Sequence, residues 1–86
     1  MIEFDAAKDA ANIEKHGVSL ARAEDLEALA IVRDDRRDYS AARYLAFGRL
    51  DGEPHCLVFT DRNGVLRAIS LRRAHRKEMD RYVPQS

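Results

Sequence analysis

Two dipeptides constrain this chain more than anything else in it. Asp51-Gly52 and Asn63-Gly64 each separate stretches rich in apolar residues. Asx-Gly is the pair favoured by two-residue hairpin turns, because both central residues must take positive φ. These turns divide the second half into three predicted strands, 43–50, 55–60 and 65–71. In the first, Leu45 and Phe47 share a face and Arg43 and Arg49 lie near the ends. The middle strand carries Leu57 and Phe59 on one side and Cys56 and Val58 on the other, which predicts a central position in a meander.

The period changes on either side. Asp5 can cap a helix that starts at Ala6, with Ala6, Ala10 and Ile13 on one face. Lys15 and His16 suit its last turn, and Gly17 suits the residue after it. Ser19 predicts a second helix over 20–29, carrying Leu20, Ala23, Leu26 and Leu29. A short strand over 30–33 and a polar turn over 34–38 follow. A terminal helix is predicted over 74–83, stopped by Pro84. The expectation is therefore α+β: two N-terminal helices, an antiparallel meander and a C-terminal helix, in a single domain spanning 1–86.

Charge is unevenly distributed. The chain is formally neutral. Residues 1–42 nevertheless hold six Lys/Arg and ten Asp/Glu, whereas 43–86 hold nine and five. The stretch 62–81 has seven basic residues against two acidic ones, which suits a polyanion. A core this small leaves room for a partner to complete it. No apolar run approaches the roughly 20 residues of a membrane span, and Met1-Ile2-Glu3-Phe4-Asp5 has no signal-peptide pattern. Cys56 is the one cysteine, so no internal disulfide or cysteine-built metal site is expected, and a reducing cytoplasm fits. The zinc-protease, phosphate-loop and nucleophile-elbow motifs are missing; neither metal nor cofactor is expected. His16 reads as a helix-end residue, His55 as surface and Cys56 as core.

The arginines carry the chemistry. Arg67 falls within a strand, on the face that alternation assigns to Val65 and Ile69. Arg72 and Arg73 stand where the strand gives way to the helix, with Arg76 one turn on. Guanidinium forks match phosphate oxygens at any cellular pH. A phosphate cradle and ordinary pairing with Glu78, Asp80 or the acidic half both fit this pattern.

The motifs resemble one family over nearly the whole chain. Met1-Ile2-Glu3-Phe4-Asp5, then Lys8, Asn12 and Lys15-His16-Gly17-Val18-Ser19, is similar to the opening of BrnT-type toxins. Arg43, Leu45-Ala46-Phe47-Gly48 and Phe59-Thr60-Asp61-Arg62 match its strands. Arg67-Ala68-Ile69-Ser70-Leu71-Arg72-Arg73-Ala74, with Arg76, Glu78 and Tyr82, matches its close. The chain departs from the family pattern at Phe4, Ala42 and Leu71.

The resemblance implies a RelE-like fold and a ribonuclease that inhibits translation. It implies a BrnA-like antitoxin that neutralises the toxin and carries the DNA-binding function, so DNA would be met only through that partner, in an assembly compatible with a heterotetramer. Metal-free RNA cleavage needs a base, cations around the phosphorane and an acid. Arg67 and Arg72 are expected to hold the scissile phosphate, with Arg43 and Arg76 as further contacts and Arg62 and Arg73 also on RNA. Lys8, His16, Glu78 and Tyr82 remain open as acid and base. The competing reading is a non-catalytic module that binds a DNA-binding protein.

Overall fold

Both Asx-Gly pairs form two-residue hairpin turns, with φ of 53° at Asp51 and Asn63, 80° at Gly52 and 84° at Gly64. The computed structural model describes residues 2–36 and 42–84. The turns join β3 (Arg43–Leu50), β4 (Glu53–Arg62) and β5 (Val65–Arg73) into an antiparallel meander. β2 (Glu27–Arg33) adds antiparallel to β3, and β1 (Ile2–Glu3) adds parallel to β5. The sheet is therefore mixed, in the order β1-β5-β4-β3-β2, and β4 is its middle strand as the two-sided apolar pattern predicts. The polar turn expected over 34–38 runs into residues outside those described.

One N-terminal α-helix forms, where two were expected. α1 spans Ala6–His16, capped by Asp5, whose carboxylate accepts from the Ala7 N–H at 2.7 Å, and closed by left-handed Gly17. The segment expected as a second helix over 20–29 is a 3₁₀ helix, Leu20–Asp25, that gives way to β2 at Glu27. Leu20, Ala23 and Leu26 recur every third residue, the period of a 3₁₀ turn rather than of an α-helix. Beyond them the β-branched Ile31 and Val32 pair with β3. The strand expected over 30–33 thus starts three residues earlier. The C-terminal helix is likewise shorter than predicted: α2 spans Arg76–Tyr82, because His75 and Val83 are both extended.

The core lies on one face of the sheet. Leu20 and Ala23 of the 3₁₀ helix pack on Ala46, Leu50, Leu57, Phe59, Ala68 and Leu71. α1 does not dock through its predicted apolar face; Ile13 is 47% exposed. Its inward residue is Asn12, 5% exposed. The Asn12 amide donates to the Leu71 carbonyl at 2.8 Å and accepts from the Leu71 N–H at 3.1 Å. It also donates to the Val18 carbonyl at 2.8 Å. The helix lies against a strand edge, and a strand edge offers unpaired backbone groups that need polar partners. Asp9 fixes the next corner by accepting from the Ser19 hydroxyl and the Leu20 N–H.

Two β-bulges shape the sheet. Leu29 is the extra residue in β2, beside Gly48, where the chains cross so closely that a side-chain carbon would collide with the Glu27 carbonyl. Ile69 is the extra residue in β5: Ala68 pairs with Phe59, and Ser70 with Val58. Arg67 and Arg72 are five positions apart, so simple alternation would put them on opposite faces. The bulge restores them to the same one. That second face carries three rows in register, Arg43–Thr60–Arg67, Leu45–Val58–Ser70 and Phe47–Cys56–Arg72. Tyr82 of α2 stacks on Phe47 with ring centroids 4.7 Å apart and planes 10° from parallel.

Asn12→Ala should leave the Leu71 N–H and carbonyl buried without their partner and destabilise the fold by about 2–4 kcal/mol. The midpoint of urea unfolding, followed by circular dichroism, checks this; an unchanged midpoint would show that the strand edge does not depend on Asn12.

Candidate active site

The bonded edge of β5 brings three distant segments together. Asn12 seats α1 on β5, which carries the last turn of α1 to the strand's C-terminal end. Lys15 and His16 there face Arg72, Arg73, His75 and Glu78 across an open cleft of about 500 Å³. An adjoining depression along the same edge, lined in part by Lys8, Asn12, Lys15 and Ser70, runs back up α1.

Arg72 is the centre of this cleft. Its Nη1 and Nη2 donate to the two oxygens of Glu78, each at 2.9 Å, and Nη1 also donates to the Arg73 carbonyl at 3.1 Å. The guanidinium is thus held in a two-pronged grip while its side chain keeps 30% exposure. Glu78 in turn accepts from the His75 N–H at 2.9 Å, which ties the pair to the start of α2. The Arg72 hydrogen bond holds the Glu78 carboxyl down at about 2, against an ordinary 4.5. A carboxylate so stabilised is a weak proton acceptor. His16 moves the other way. Partial burial, then the positive charges of Lys15 and Arg72, push its pKa below the ordinary 6.5. At neutral pH its imidazole is therefore uncharged and able to accept a proton.

The other residues singled out from sequence lie elsewhere. Arg67 pairs across the β1–β5 ladder with Glu3, at 3.9 Å. With Glu3, Arg62 and Val65 it lines a separate pocket of about 590 Å³. Arg43 shares its cross-strand row but lies two strands away. Arg73 approaches Glu53 at 3.9 Å, and Arg76 projects into solvent, 4.0 Å from Asp80. Arg72, Arg73 and Arg76 therefore do not form one side of a helix start, since the first two are still in the strand. The Tyr82 ring is engaged with Phe47, and Arg81 lies over it, 5.3 Å from its centroid. His55, expected at the surface, is 8% exposed, with Nδ1 3.0 Å from the Glu53 carbonyl. Cys56 is fully buried, as expected, and burial pushes its thiol up to about 11.

Sequence reasoning missed Lys15 and His75 as lining residues. The pattern His75-x-x-Glu78 resembles a capping box and could have flagged the second of them. It also missed the structural role of Asn12, for which the apolar period gave no cue. Among the described residues no group of three or more His, Cys, Asp or Glu is placed to hold a metal. None of the described helices is long and apolar enough to cross a membrane.

Comparison with known proteins adds one result. A family profile described as the ribonuclease toxin, BrnT, of type II toxin-antitoxin systems matches residues 4–78. No curated protein matches the chain.

The depressed carboxyl pKa has a measurable consequence. Glu78 titrates lower in the folded chain than in the unfolded one, so its contribution is complete above about pH 4.5 and is lost as the pH falls toward 2. Glu78→Gln should cost about 1–3 kcal/mol at pH 7. The gap from the parent should close over that acid window in urea melts. A gap that stays constant with pH would mean that the charge is not the source.

Proposed function

The chain belongs to the BrnT family of ribonuclease toxins of type II toxin–antitoxin systems, and from that premise we propose that it cleaves RNA at the Arg72 cleft without a metal. Membership in such a system implies an antitoxin partner. The observation that carries the proposed site is the meeting of His16 and Arg72 in one cleft, from segments that the Asn12–Leu71 contact helps to bring together.

The scheme follows from the two groups. Neutral His16 takes the proton of a 2′-hydroxyl, whose oxygen attacks the neighbouring phosphorus. Arg72, held by Glu78, donates to the phosphorane oxygens as negative charge builds there. The bond to the 5′-oxygen breaks and leaves a 2′,3′-cyclic phosphate; Lys15 and His75, in the same cleft, are the candidate donors of the proton that the leaving oxygen takes. Glu78 serves as a positioning residue for Arg72. Arg67 is assigned to a different phosphate: along β5 it lies roughly 13–17 Å from Arg72, so Arg67, Arg62 and Arg43 would contact the RNA backbone away from the scissile bond. Cleavage of messenger RNA would inhibit translation, and a BrnA-like antitoxin would neutralise the toxin by covering this cleft, carrying any DNA-binding function for the pair.

The second reading, a non-catalytic module paired with a DNA-binding protein, draws on one observation: Arg67, Arg72, Arg73 and Arg76 all have a carboxylate within 4.0 Å. Induced expression separates the two. The ribonuclease reading expects growth arrest and RNA loss, relieved by co-expression of a neighbouring antitoxin gene. The module reading expects neither effect.

Arg72→Ala and His16→Gln should each lower kcat/KM for RNA about 100-fold or more. Arg67→Ala should chiefly weaken RNA binding and flatten its salt dependence. On the acid side the parent's kcat/KM should fall below about pH 6.5, as His16 acquires a proton, and His16→Gln should lose that acid limb. Full activity in Arg72→Ala would remove the cleft from consideration.

A further inference from the structure

Arg72 and Glu78 also form one wall of a second cavity, on the sheet face away from the core. This groove, about 300 Å³, lies between α2 and the segment that follows β2. Its floor is Val32, Leu45, Phe47 and Val58, one or two residues from each of β2, β3 and β4, and Tyr82 stands on the α2 side. Asp34 and Arg36 line the opposite side, with the Arg36 guanidinium donating to both Asp34 oxygens at 2.8 and 2.9 Å. Each wall is thus an arginine clasped by a carboxylate, and the space between them is apolar below.

The two cavities differ in kind and share a wall. The cleft holding His16 is lined by charged and polar side chains. The groove has an aliphatic and aromatic floor, is near the lower end of ligand-sized cavities, and begins on the other side of the same Arg72–Glu78 pair. A nucleotide has the same division, an anionic phosphate next to a flat, largely apolar base edged with polar atoms. We propose that the groove is a nucleobase subsite, which receives a base of the RNA whose phosphate sits at Arg72. The proposal rests on the ribonuclease reading and specifies its substrate. A base can enter the groove only when it is unpaired, so the substrate class is single-stranded RNA.

Methyl-resolved NMR of the full chain tests this directly, with four nucleoside 5′-monophosphates and ribose 5-phosphate as probes. Methyl signals of Val32, Leu45 and Val58 should shift with at least one nucleotide and not with ribose 5-phosphate. That nucleotide should bind about fivefold or more tightly than the sugar phosphate. Val58→Trp, which fills the groove, should abolish this advantage and leave ribose 5-phosphate binding unchanged. A single-stranded oligonucleotide should reproduce the methyl shifts, and the same strand annealed to its complement should not.

The proposal is overturned if every probe shifts only the Arg72 and His16 cleft, if duplex and single strand act alike, or if only the antitoxin perturbs the groove. RNA cleavage without nucleotide entry into the groove would refute the subsite and leave the ribonuclease reading intact. Nucleotide entry without cleavage by the parent chain would do the reverse.

Discussion

One side-chain amide holds the architecture in register. α1 contributes little apolar surface to the core, and its inward residue is polar. Asn12 takes the place of a neighbouring strand for Leu71, supplying one donor and one acceptor where β1 no longer reaches. Its third bond, to the Val18 carbonyl, fixes the corner after the helix. Buried amide pairs of this kind are directional, whereas apolar packing tolerates sliding. The direction matters here, because the last turn of α1 carries His16 and the strand below carries Arg72. A helix held only by grease could shift by a residue, and the imidazole would then face a different part of the sheet.

The second constraint is electrostatic. The Arg72–Glu78 pair is only partly exposed, and both prongs are hydrogen bonded at 2.9 Å. Pairing an arginine does not remove it from use; a guanidinium has five N–H donors, and two of its nitrogens here face Glu78. Glu78 also accepts the His75 N–H, so the arginine is braced by the helix start that covers the second face of the sheet. The ion pair therefore joins α2 to β5 and separates the charged cleft from the apolar groove.

The meander was legible in the sequence because turn chemistry is local. Asp51-Gly52 and Asn63-Gly64 specify their backbone without help from distant residues. β4 was readable as central from its two apolar faces. The segment after Ser19 was not, because a spacing of three apolar residues fits a 3₁₀ turn as well as a helix, and pairing with β3 decides where the strand begins. The face of α1 was misjudged for a related reason. Apolar periodicity anticipates packing on side chains, and this helix lies on backbone. Of the site, Arg72, His16 and Glu78 were recognisable as candidates. Their proximity depends on a contact between residues 12 and 71, and a single sequence carries no direct record of that.

The extra residue at Ile69 has a consequence of parity. In a regular strand, two positions an even number of residues apart show on the same side, and two an odd number apart show on opposite sides. Arg67 and Arg72 are an odd number of residues apart, and β5 cancels this with one looped-out residue. Forcing Ile69 into the ladder would keep the charge of the chain and every arginine, yet it would invert the strand upstream. Leu66 and Ala68 would leave the core and Arg67 would turn into it. The layout of the basic face is thus written in the path of the backbone as much as in its side chains, and loss of the looped-out residue itself would leave both faces as they are.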